Sequence, residues 1–237
     1  MLFVISSCSS YYQISDEKAD LKKIEVGNLE EDPDINFLIQ PYKYQLEKQM
    51  GEVLGEAAVE LPKGQPESLL TNFLADAILE YTNSKTTEEI DFCVLNYGGI
   101  RLPSLSKGAI TKGVIYELLP FDNFLTVLEI DAEILSSFFD HIAVKEGFPV
   151  SKNVSFAMDT INNIALGIKI NGEPLQGSYK VLVPDYIANG GDQCAMLKPL
   201  AQNNLGIYLR DAMIGYFNQN KKAISPKLDG RLTFYAQ

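Results

Sequence analysis

Histidine is almost absent from this 237-residue chain, which has a single one, His141, and only three cysteines. One histidine cannot furnish a dinuclear metal centre or an HExxH zinc site. The cysteines form no CxxC pair, so zinc-ribbon and dithiol redox readings have no support. No GxxxxGK[ST] or GxGxxG stretch is present, and no GxSxG turn presents a serine nucleophile. The SxxK match at Ser104 to Lys107 stands without companion motifs and reads as chance. Positive charge is in the minority: 20 Lys and Arg face 31 Asp and Glu, a net charge of −11. That argues against nucleic acid as a partner, because phosphate-backbone binding is driven by Lys and Arg. No apolar run approaches the ~20 residues of a membrane-spanning helix. The chain is poor in catalytic groups and richer in groups suited to recognition.

What is present reads as one domain. Hydrophobic residues at 46% and charged residues at 22% are ordinary for a globular protein. Helical periodicity runs from Ile35 to Val53, with Pro41 as an early interruption. LLTNFLADAILEYTN places Leu69, Phe73, Leu74, Ala77 and Ile78 on one helix face, and Asp131 N-caps a helix through SSFFDHIAV. His141 in that pattern reads as an exposed or capped helical histidine. IDFCVLN, NFLTVLEI, NVSFAM, IALGIKI and SYKVLVPDY read as strands, with Asn171-Gly172 a tight turn. NNLGIYLRDAMIGYFNQN reads as a last helix and GRLTFYAQ as a closing strand. Helices and strands mix without strict βαβ alternation, which predicts an α+β fold with helices covering its sheets.

The N-terminus carries a different signal. Ile5-Ser6-Ser7-Cys8 closes a short apolar run and resembles a bacterial lipoprotein lipobox. The resemblance implies cleavage before Cys8 and a lipid on its thiol, hence export to a membrane facing the periplasm or the cell surface. No positive region precedes the run, and it is short for a signal. The same residues also read as a frayed end with an incidental cysteine. The polar segment that follows reads as a tether, so residues 1–34 form signal and tether and residues 35–237 the domain. Cys93 reads as a buried thiol and Cys194 as a loop cysteine. With Cys8 lipidated these two could pair.

Three segments carry recognition chemistry. LNYGGIR offers Asn96, Gly98, Gly99 and Arg101, LPFDN offers Phe121 and Asn123, and PDYIANGGD offers Tyr186, Gly190, Gly191 and Asp192. Each follows or interrupts a strand-like run. The glycines allow backbone conformations and close approaches that side chains block. Two rings can sandwich a nucleobase. A carboxylate suits ribose hydroxyls, and arginine suits phosphate. Together the groups read as a nucleoside phosphate site, while Phe121 after proline also suits a core position and GGD a simple turn.

These segments, with ESLLTNFLADAILE, KGAITKGVIYELLPFDNFLTVLEI and the terminal DGRLTF, fall in order from Glu67 to Phe234 and resemble the C-terminal domain of the 5'-nucleotidase family. The resemblance implies a layered α/β/β/α domain, with mixed sheets covered by helices. It also implies a pocket that clamps the base between two rings, mapped onto Phe121 and Tyr186. Sugar and phosphate contacts map onto Asn96, Arg101 and Asp192, and Asn123 falls near the base. Family enzymes add an N-terminal metallophosphatase domain with motifs such as DxH and GNHE, and neither motif occurs here. The expectation is therefore a chain without its own cofactor, whose divalent metals belong to a separately encoded metallophosphatase partner. The alternatives are a non-catalytic nucleotide- or nucleoside-binding lipoprotein, or a structural remnant that binds a protein. Three positions depart from the family pattern. Pro66 stands where an arginine is common, Gln193 stands where glycine is usual after GGD, and Tyr186 stands where phenylalanine is commoner.

Overall fold

The computed structural model of the protein describes residues 32–235. The chain divides into two compact units, Met1–Tyr44 and Gln45–Gln237. The lipobox-like segment and Cys8 lie outside the described residues. Helix α1 (Pro33–Met50) continues through Pro41 rather than breaking there.

The second unit begins with β1 (Val53–Ala57), β2 (Leu61–Pro62) and α2 (Leu69–Asn83). Next come β3 (Phe92–Cys93), β4 (Ser104–Leu105), β5 (Gly108–Thr111), α3 (Lys112–Leu118), β6 (Phe124–Asp131) and α4 (Ala132–Val144). The chain continues with β7 (Val154–Asp159), β8 (Ile164–Ile170), β9 (Glu173–Pro174), β10 (Ser178–Pro184) and the single turn α5 (Asp185–Ala188). It closes with β11 (Gln202–Tyr208), α6 (Leu209–Gln219) and β12 (Leu232–Phe234). Local chemistry sets the helix starts. Ser68 and Thr71 form a capping box on α2. The Asp131 carboxylate accepts from the Ile134 N–H at 2.9 Å and opens α4 as the sequence predicts.

Two four-stranded mixed sheets result, ordered β11-β6-β10-β3 and β12-β7-β8-β9. The pairs β10–β3 and β12–β7 are parallel, and the rest are antiparallel. The fold is α+β, with helices packed on mixed sheets. Strand alternation divides the core. Cys93, Leu95 and Leu182 face one apolar cluster with α2 and α6. Phe92, Val94, Val181 and Val183 face a second, shared with α4 and the other sheet.

This division separates the cysteines. Cys93 belongs to the first cluster and Cys194 to the second, and both are free, buried thiols. A Cys93–Cys194 bridge is therefore not formed. Burial, with the Asp192 carboxylate next, pushes the Cys194 thiol up to about 12. The last helix is also shorter than its periodicity predicts, because the stretch before Leu209 pairs with β6 as β11. Asn204 and Gly206 mark the irregularity. Gly206 adopts φ +67° and its N–H donates to Asn204 Oδ1 at 2.8 Å.

Candidate nucleotide-binding cleft

The topology brings the three recognition segments to one end of the first sheet. Strands β3 and β10 run parallel, so NYGGIR and DYIANGGD leave from the same end. Strand β6 runs antiparallel to β10 with Pro184 opposite Leu125, so the Phe121–Asn123 connector enters at that end too. There the three segments enclose a cleft of about 350 Å³. Asn96, Gly98, Arg101, Phe121, Asn123, Tyr186 and Asp192 line it, seven of the ten candidates read from the sequence. Gly99 lines an adjoining dent of about 10 Å³ that shares Asn96, Phe121 and Asn123 with the cleft. Gly190 and Gly191 shape the loop behind Tyr186 and Asp192.

Phe121 and Tyr186 remain 48% and 44% exposed, so both rings are open to a ligand in the cleft. Asn96 is only 7% exposed, yet its side-chain amide makes no hydrogen bond within the described residues. A Cβ on Gly99 would lie 2.8 Å from Asn96 Oδ1, so a larger residue there would push that amide from its place. Arg101 is exposed. Its Nη1 donates to the Gly98 carbonyl at 3.4 Å, and its guanidinium stands 6.0 Å over the Phe121 ring.

Tyr186 and Asp192 are joined by two hydrogen bonds. The Tyr186 hydroxyl donates to Asp192 Oδ1 at 2.9 Å, and the Asp192 N–H donates to the same hydroxyl at 3.2 Å. The ring rests on Gly191, where an added Cβ would come within 2.6 Å of its carbons. Gly190, Asp192 and Gln193 all adopt positive φ, at 87°, 50° and 68°. A glycine at this position would adopt that geometry without the Cβ strain that Gln193 carries.

Three supporting residues were not legible in the sequence. Arg210, 9% exposed, donates from Nη1 to the carbonyls of Leu119 and Pro120 at 3.4 and 3.3 Å. It also pairs through Nη2 with Asp122 at 2.6 Å and so braces the loop carrying Phe121. His141 is neither free on its helix nor a cap. It is half-buried, and its Nε2 donates to the Asp192 carbonyl at 2.8 Å. Lys63 donates to the Ile100 carbonyl at 2.7 Å beside Arg101. Among the described residues no three His, Cys, Asp or Glu side chains converge as a metal seat. Among them, too, no helix is long and apolar enough to cross a membrane.

A cleft built from three loops at one sheet end, with two half-exposed rings, the Asn96 amide and an exposed arginine, has the form seen in the class of small-molecule sites. Comparison with known proteins narrows that class. Residues 51–199 match the family described as 5'-nucleotidase, C-terminal domain, and the chain belongs to that family. It is 25% identical over 239 residues to snake venom 5'-nucleotidase of Naja atra, covering 88% of this chain and 45% of that protein. It is 24% identical to human 5'-nucleotidase, covering 88% of this chain and 41% of the human protein. Among solved structures, a 5'-nucleotidase precursor from Thermus thermophilus superposes with a TM-score of 0.72 at 26% identity. That match spans 85% of this chain and 43% of the Thermus chain. The chain thus spans less than half the length of these relatives.

Proposed function

We propose that this chain is the nucleotide-recognition unit of a split 5'-nucleotidase. It positions a nucleoside phosphate for hydrolysis by a metallophosphatase unit on a separate chain. One observation carries the reading. Two half-exposed rings, Phe121 and Tyr186, share one cleft with an arginine that has no carboxylate partner among the described residues. In this reading the base stacks on the rings, each contact contributing ~1–3 kcal/mol. Asp192 accepts from a ribose hydroxyl through the oxygen that Tyr186 leaves free. Asn96 and Asn123 offer amides to the base and sugar, and Arg101 meets the phosphate.

The hydrolytic chemistry, metal-activated water acting on phosphorus, falls to the partner. This chain contributes orientation, and binding energy away from the reacting atom can be used in the transition state. The lengths of the relatives support a second unit, since the match spans only 41–45% of the venom and human proteins. The lipobox-like Ile5-Ser6-Ser7-Cys8 supports a lipid anchor at a bacterial membrane.

Saturation-transfer NMR with AMP tests the reading. Strong transfer to the adenine protons, lost in Tyr186→Ala, is the expected result. Equal transfer to base and ribose protons in wild type and variant would contradict it.

A further inference from the structure

Lys63 and Arg101 are neighbouring cations in a chain of net charge −11, and neither forms an ion pair with a carboxylate among the described residues. Like charges held together without a counter-ion are costly, and an acidic protein has carboxylates in plenty to neutralise them. The lysine is also tightly placed. Its Nζ donates to the Ile100 carbonyl at 2.7 Å and stands 3.9 Å above the centre of the Tyr97 ring. Its backbone N–H donates to the Pro103 carbonyl at 2.9 Å. Burial first, and then the charge of Arg101, hold its ammonium below the usual lysine range.

These contacts bracket one turn. Tyr97 opens the 3₁₀ turn Tyr97–Gly99, and Ile100 closes it and leads into Arg101. From the other side the Arg101 N–H donates to the Leu118 carbonyl at 2.9 Å. We infer that Lys63 is a positioning residue for the anionic end of the ligand: it clips the turn that presents Arg101 and adds a second positive charge behind it. The inference rests on the nucleotide reading above. Lys63 does not line the cleft, so its effect passes through the turn and through its field. A bound phosphate relieves the repulsion between the two cations, and an uncharged nucleoside does not.

The test is calorimetric titration of the full chain with AMP and with adenosine, for wild type, Lys63→Met and Lys63→Arg. Methionine keeps an apolar stem against Tyr97 and removes the charge, while arginine keeps the charge. Lys63→Met should weaken AMP binding about tenfold and change adenosine binding by less than about twofold. Lys63→Arg should recover most of the AMP affinity. An equal loss for both ligands makes Lys63 merely structural and overturns the inference, as does unchanged AMP affinity in Lys63→Met. If Lys63→Met does not fold, the comparison of Lys63→Arg with Lys63→Gln reads the same charge dependence. Wild type that binds neither ligand overturns the nucleotide reading itself, a result distinct from the others.

Discussion

Tyr186 and Asp192 hold each other in a closed exchange: the hydroxyl donates to Oδ1 at 2.9 Å and accepts from the Asp192 N–H at 3.2 Å. The phenol therefore does more than offer a ring. It fixes a carboxylate on a residue with φ +50°, a conformation that side chains seldom adopt.

Tyr186→Phe should keep stacking and free Asp192 to turn. AMP binding should weaken by roughly three- to tenfold, in line with the ~0.5–1.5 kcal/mol net worth of one typical hydrogen bond. Binding of 2'-deoxy-AMP should change less if Asp192 reads a ribose hydroxyl. Parallel titrations with the two nucleotides check this.

Gly191→Ala attacks the same pair sterically. The new Cβ would sit 2.5 Å from the Tyr186 carbonyl oxygen and 2.6 Å from its ring carbons. The ring must leave its place, and the clash with the carbonyl oxygen must also shift the backbone. We expect a stability loss of about 1–3 kcal/mol and loss of measurable AMP binding in protein that still folds. Thermal melts and titration of one preparation separate the two effects.

Arg210→Met should loosen the loop that carries Phe121. It removes donors from the Leu119 and Pro120 carbonyls and leaves Asp122 without its partner. The expected loss is roughly 1–3 kcal/mol in urea unfolding. Arg210→Lys should restore only part of it, because one ammonium lacks the planar fork.

Acid should destabilise the fold partly through Asp229. Hydrogen bonds from Arg231 hold the Asp229 carboxyl below the usual carboxylate range. A depressed folded-state pKa means that the stabilisation is present above the unfolded value of about 3.9 and is lost as pH falls through the lower folded value. Wild type should therefore lose stability more steeply than Asp229→Asn as pH falls below about 4. Urea unfolding across that range is the check.

Much of the cleft was legible because its groups lie in three short, contiguous segments. Glycine pairs, isolated aromatics and one arginine at strand ends are local signals. The supports were not legible, because each acts across the chain. Arg210 reaches the Asp122 carboxylate 88 positions away, His141 reaches the Asp192 carbonyl 51 away, and Lys63 reaches the Ile100 carbonyl 37 away. Nothing in YLRDAM distinguishes Arg210 from an exposed helical arginine. Strand β11 escaped for a different reason. Leu205, Ile207 and Leu209 suit alternation, but they run directly into the helical pattern of α6. Only pairing with β6 decides between the two. The cysteines were ambiguous because spacing says nothing about which side of a sheet each faces.

The central claim is that Phe121 and Tyr186 clamp a nucleotide base. Calorimetric titration of the chain with AMP, repeated on Phe121→Ala, tests it most directly. Phe121 is half-exposed, so its removal should leave the fold intact. The account predicts saturable binding by wild type and a loss of at least about fivefold in the variant, the equivalent of one ~1 kcal/mol stacking contact. Equal affinity in the two proteins would contradict it.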